Sequence, residues 1–62
     1  MCESTVYLKE KNKKIEIMRD VARIETTTMG VVCYNIIGEK REIPNVKIKL
    51  ANLMDHSIII EK

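Results

Sequence analysis

Short runs of alternating, β-branched residues, broken about every eight to twelve positions, constrain this chain more than any other feature. Ten Ile, five Val and four Thr outweigh three Leu and two Ala. Such side chains lose rotamer freedom in a helix and pack well on a pleated surface. Ser4 to Lys9 alternates, with Val6 and Leu8 on one face and Thr5 and Tyr7 on the other. Glu10 to Lys14 is a polar connector whose Asn12 suits a tight hairpin. Lys14 to Met18 is the return strand; Arg19-Asp20 breaks the pattern, and Val21 to Thr28 resumes it weakly. Ile17, Val21 and Ile24 also fall at helical spacing, but the β-branched flanks favour strands.

Met29-Gly30 ends that segment. Val31 to Ile37 then reads as a central strand buried on much of both faces, with Gly38-Glu39 as its turn. Lys40 to Ile43 is a short strand stopped by Pro44, which cannot donate to a ladder. Lys47 to Leu53 follows, then a polar turn over Met54 to Ser57, and Ser57 to Lys62 closes the chain as a strand. The predicted architecture is an all-β barrel of about six short strands, one small domain over residues 1–62, without repeat or linker.

A chain of 62 residues buries only about 60% of its unfolded surface, so a partner subunit is the leading source of further stability. Two cysteines, Cys2 and Cys33, do not make a disulfide framework. The first fifteen residues carry six charged side chains among Glu3, Lys9, Glu10, Lys11, Lys13 and Lys14, and no apolar run of signal-peptide length. The expectation is a cytoplasmic protein with reduced thiols and no membrane contact. Composition and size exclude a two-domain enzyme, a coiled coil, a transmembrane protein and a disulfide-dense scaffold.

Most catalytic templates fail. Gly30 and Gly38 are the only glycines and build no phosphate loop. There is no Cys-x-x-Cys pair, and His56, the single histidine, lies in a predicted turn beside Asp55. No catalytic residues are expected. Cys33 reads as a small core hydrophobe, and Met18, Met29 and Met54 as core and rim fillers.

Cys2 is the unusual residue. A cysteine after the initiator has the small side chain that permits removal of Met1, which would place an α-amine and a thiol on one residue. Their unperturbed pKa values, about 8 and about 8.5, make both available to a metal near neutral pH. Two copies related by a dimer axis would supply two sulfurs and two nitrogens, a set that suits square-planar nickel(II), with copper(II) as competitor. A lone terminal cysteine is also a common chance residue. The competing feature is the basic cluster Lys9, Lys11, Lys13 and Lys14, with Arg19 nearby, which could meet RNA phosphates. Glu10 and Glu16 interrupt it, and only Tyr7 and Tyr34 could stack on bases. A lysine-rich hairpin tip is more commonly a soluble end that discourages edge pairing.

The opening Met1-Cys2-Glu3 with Val6-Tyr7-Leu8 resembles the CooT family of small nickel-binding accessory proteins. Ile17-Met18-Arg19-Asp20-Val21, Gly38-Glu39, Ile43-Pro44 and Ile58-Ile59-Ile60-Glu61 are similar to its later landmarks. The resemblance spans essentially the whole chain. It implies an SH3-like or Sm-like barrel acting as a homodimer, with nickel(II) held near the interface through the residue that aligns as Cys2. It further implies a carrier that supplies nickel to a metal-receiving enzyme, carbon monoxide dehydrogenase being the best-known recipient. Members of the family have also been labelled RNA-binding by fold analogy, a weak warrant.

Overall fold

Residues 13–26 form one fourteen-residue strand, β2 (Lys13–Thr26), and its length organises the sheet. The computed structural model describes residues 3–62. Before β2 runs β1 (Ser4–Glu10), and after it come β3 (Gly30–Asn35), β4 (Lys40–Pro44), β5 (Lys47–Asn52) and β6 (Ser57–Glu61). The first part of β2 pairs antiparallel with β1, and Val21 to Thr26 pairs antiparallel with β3. The Arg19-Asp20 break expected from the sequence is therefore an irregularity within a continuous strand. Opposite β1, the register slips on either side of Val6, leaving Ile17 unmatched, and Asp20 adopts a φ of 55°. An extra residue of this kind bends a strand and increases its twist. The Ile17 carbonyl accepts a hydrogen bond from Arg41 Nη1 at 3.0 Å.

The strand order is β4-β3-β2-β1-β6-β5, all antiparallel except β1 with β6, which run parallel. The six expected strands are present in an all-β, barrel-like sheet, but the sheet is not closed. Its edges, β4 and β5, do not pair. Each edge is blunted: β4 carries three consecutive charged residues, Lys40-Arg41-Glu42, and ends at Pro44, and β5 carries Lys47 and Lys49 beside a register slip. The sheet curls so that β3 and β5 approach each other across the core. Val46, between β4 and β5, fills that space, buried with Val6, Val21, Val31, Cys33, Ile58 and Ile60.

Four side chains, Ile60, Val6, Val31 and Cys33, are fully enclosed. Full burial of each aliphatic side chain is worth about 1.5–3 kcal/mol. Cys33 is a core residue, as its apolar surroundings predicted, and its thiol is free. Burial pushes that thiol above its ordinary pKa, with Arg41 opposing. β3 is buried on both faces from Gly30 to Cys33, in keeping with the central strand expected there. It stops at Asn35, however. Ile36 and Ile37 belong to the β3–β4 turn, and Leu53, expected in β5, belongs to the β5–β6 turn. Met18 packs against the core while Met29 and Met54 stand exposed.

Candidate functional site

A single row of backbone crosses five strands, at the ends of β1, β3, β5 and β6 and at the bend of β2. Val21 of β2 lies opposite Ser4 of β1 and also opposite Asn35 of β3. Thr5 of β1 lies beside Ser57 of β6, which in turn lies opposite Asn52 of β5. The row thus reads Asn35, Val21, Ser4-Thr5, Ser57, Asn52, and the chain's amino end enters at its middle. Cys2 itself lies outside the described residues; Glu3, the residue that follows it, leads directly into β1.

Two turns flank that point, and both are built by the same device. Asn35 Oδ1 accepts hydrogen bonds from the Ile37 amide (3.2 Å) and the Glu39 amide (2.8 Å), and its Nδ2 donates to Glu39 Oε1 (2.6 Å). Asn52 Oδ1 accepts from the Met54 and Asp55 amides (3.1 and 3.2 Å), and its Nδ2 donates to Asp55 Oδ2 (3.2 Å). Asparagine does this because its short amide can substitute for a backbone carbonyl in a turn. Each turn is then tied to the row: the Ile36 amide donates to the Asp20 carbonyl (3.0 Å), and the Thr5 amide donates to the His56 carbonyl (2.9 Å). The two residues after each asparagine are apolar and turned to solvent. Ile36, Ile37, Leu53 and Met54 are 54, 75, 78 and 90% exposed.

Charge is distributed unevenly between this end and the other. Glu16, Glu25, Glu42 and Glu61 are ion-paired with Arg19, Arg23, Lys40 and Lys49. Among the described residues, five carboxylates have no such partner: Glu10 stands at the β1–β2 hairpin, and Glu3, Asp20, Glu39 and Asp55 lie toward the amino end. The lysine cluster lies at the opposite end. Lys9, Lys11 and Lys13 surround the β1–β2 hairpin tip, where they share a shallow groove with Glu10, Glu61 and Lys62. Lys11 takes a φ of 54° there, so the left-handed hairpin position is one residue earlier than Asn12. Lys14 lies directly opposite Lys9 and is drawn over the Tyr7 ring, 5.1 Å from its centre. Arg19 does not join the cluster; its Nε donates to both Glu16 carboxylate oxygens at 3.1 and 3.0 Å, which raises the guanidinium pKa.

Among the described residues, no three His, Cys, Asp or Glu side chains are grouped to hold a metal ion. The described part of one chain therefore offers no complete coordination set, and a thiophilic ion would need ligands from Cys2 and from a second subunit. Sequence reasoning did not find the exposed turn residues. Asn followed by two apolar residues, Asn35-Ile36-Ile37 and Asn52-Leu53-Met54, is the signal that marks them.

The described residues form a curled, open sheet whose β3–β4 and β5–β6 turns are pinned by asparagine side chains. Comparison with known proteins gives its family. The model of the CooT family, described as the CO dehydrogenase accessory protein CooT, matches residues 1–61, and the chain belongs to that family. It is an accessory protein to an enzyme and is not an enzyme itself. The fold is similar to the crystal structure of a protein assigned provisionally as CooT, from Carboxydothermus hydrogenoformans. That match has 30% identity and a TM-score of 0.89, covering 98% of this chain and 97% of the other. No curated protein matches the sequence. No helix among the described residues is long and apolar enough to cross a membrane.

Proposed function

We propose that this protein is a cytoplasmic nickel(II) carrier that binds one ion per homodimer through Cys2 of each subunit and delivers it to CO dehydrogenase. The observation that carries the reading is that four of the five carboxylates without cationic partners among the described residues, Glu3, Asp20, Glu39 and Asp55, lie toward the end of the sheet where Glu3 leads into β1. Carboxylates of one sign at a protein end attract a dication and raise its local concentration. Thiol and amine donors have the softness that nickel accepts, whereas carboxylates alone would favour harder cations. Cys33 cannot substitute for Cys2, because it is sealed inside the core.

Nickel titration with native mass spectrometry tests this on the wild type and Cys2→Ala. The expected result is one ion per dimer for the wild type and loss of that ion in the variant. Retention of full affinity by Cys2→Ala rejects the reading. Binding must displace protons from the donors, so affinity should fall as pH drops below neutral.

The groove beneath the lysine hairpin favours one second reading, in which Lys9, Lys11, Lys13 and Lys14 contact RNA phosphates. That reading requires affinity falling steeply with salt and indifference to Cys2. Arg19, tied to Glu16, contributes less to it than its sequence position promised.

A further inference from the structure

We infer that the outer face of β1, β6 and β5 is the docking surface for the enzyme that receives the metal, and that the receiver presents an apolar patch ringed by aspartate and glutamate. This rests on the carrier reading above and adds to it the surface and the chemistry of the partner. Ile58, Ile59 and Ile60 are consecutive in one strand, so they cannot share a face. Ile58 and Ile60 lie in the core, and Ile59 therefore points outward, where a sheet face open to water ordinarily carries a polar residue. Its cross-strand neighbours are apolar as well: Tyr7 lies beside it on β1 and Leu50 opposite it on β5. None of the three belongs to the core or to the side chains packed against it; Tyr7 and Ile59 are partly exposed and Leu50 is 49% exposed. A contiguous apolar row on a solvent face marks an interaction site.

The rows on either side give this surface its character. Toward the hairpin, Lys14, Lys9, Glu61 and Lys47 are successive cross-strand partners on the same face. Glu61, the one carboxylate among them, is already ion-paired with Lys49 at 3.5 Å, and Lys9, Lys14 and Lys47 have no carboxylate partner among the described residues. Toward the amino end the row is uncharged: Thr5, Ser57 and Asn52. An apolar centre with a polar rim is the anatomy of a protein contact, and a cationic rim complements an acidic one. RNA fits less well. Lys14 covers the Tyr7 ring, 5.1 Å from its centre, and Ile59 and Leu50 offer no aromatic plane on which a base could stack.

A second copy does not suit this face if the two Cys2 residues share an ion. Two copies facing one another here with their amino ends together would set one lysine row against the other. Turned end for end, they would relieve that repulsion but carry the amino ends to opposite sides of the dimer. The amino end is thus kept for the second subunit, while the outer face of each subunit stays open to the receiver. Thr5, in the uncharged row, is three residues from Cys2, at most about 11 Å of chain at 3.8 Å per residue. A receiver seated on the apolar row therefore lies close to the cargo.

The test uses the full-length protein and nickel-free CO dehydrogenase from the same organism, with binding followed by biolayer interferometry. Ile59→Thr with Leu50→Thr, and separately Lys9→Gln with Lys47→Gln, should each weaken binding by about tenfold or more. Lys11→Gln, at the hairpin tip beyond the lysine row, should bind like wild type, and added salt should weaken the wild type. Circular dichroism and thermal melting of each variant establish that it is folded. Wild-type protein that does not bind, apolar-row variants that bind like wild type, or an equal loss in Lys11→Gln would each overturn the inference. So would displacement of the enzyme by a single-stranded RNA, which assigns the face to nucleic acid, or dissociation of the homodimer in the apolar-row variants, which assigns it to a second copy. Nickel titration of the same variants keeps the two proposals apart: the apolar-row variants should retain nickel, and Cys2→Ala should lose nickel yet still dock.

Discussion

The backbone amide of Ile36 donates to the carbonyl oxygen of Asp20 at 3.0 Å, fastening the β3–β4 turn to the bend in β2. Asp20 makes that carbonyl available by adopting a φ of 55°, a left-handed conformation that Asp tolerates and bulky residues do not. Asp20→Ile should therefore destabilise the fold by about 1–2 kcal/mol, while Asp20→Gly should leave it close to wild type. Urea denaturation with linear extrapolation measures both. Equal losses would mean that the carboxylate, not the backbone, is what the position requires.

Gly30 holds β3 against the end of β4. A Cβ there would run into the Ile43 carbonyl oxygen and come within 2.9 Å of Pro44 Cα, and both obstacles are backbone. Gly30→Ala should cost about 3 kcal/mol, at the upper end of overpacking losses, because neither strand can yield alone. Thermal unfolding followed by far-ultraviolet circular dichroism reads the change directly.

Cys33 should resist alkylation in the folded protein. The thiolate is the reactive species, and burial both encloses the sulfur and disfavours its ionisation. Maleimide labelling located by peptide mass should modify Cys33 only as urea unfolds the chain. Cys33→Ser should destabilise by about 1–3 kcal/mol, through a hydroxyl without a partner in an apolar core, with nickel stoichiometry unchanged.

Acid should weaken the β2–β3 pairing through Glu25. Its carboxylate is held below the usual range first by the hydrogen bond from Arg23, with Tyr34 Oη donating at 3.2 Å and burial opposing. A carboxyl whose pKa is lower folded than unfolded stabilises fully above the unfolded value, about 4.3, and loses that contribution as pH falls through the folded one. Glu25→Gln should flatten the acid side of a melting-temperature profile and leave the neutral region little changed, since the pair is exposed. An acid limb of unaltered slope would remove Glu25 from the account.

The strands were readable because alternation is local: Val6 with Leu8, Ile15 with Ile17, and Ile58 with Ile60 each declare a face within a few residues. Cys33 was readable as core for the same reason. Ile36, Ile37 and Leu53 were misplaced into strands, because an apolar residue in a sequence does not say whether a turn will hold it outward. The Arg19-Asp20 interruption was visible, but a broken pattern looks the same whether the strand ends or bulges and continues. That difference lies in the partners, since β2 pairs with β1 before the bend and with β3 beyond it.

By itself, then, the sequence determined an all-β chain of about six strands, its first hairpin, a buried Cys33 and a family resemblance carried by landmarks along its whole length. Only the tertiary structure decided that the sheet stays open, that Arg19 leaves the lysines for Glu16, and that Glu61 and Lys62 join Lys9, Lys11 and Lys13 around one groove. The physical reason is the parallel pairing of β1 with β6, which joins residues about fifty positions apart and aligns the start of one strand with the start of the other. A contact of that range is set by the whole core closing together, and no local pattern contains it.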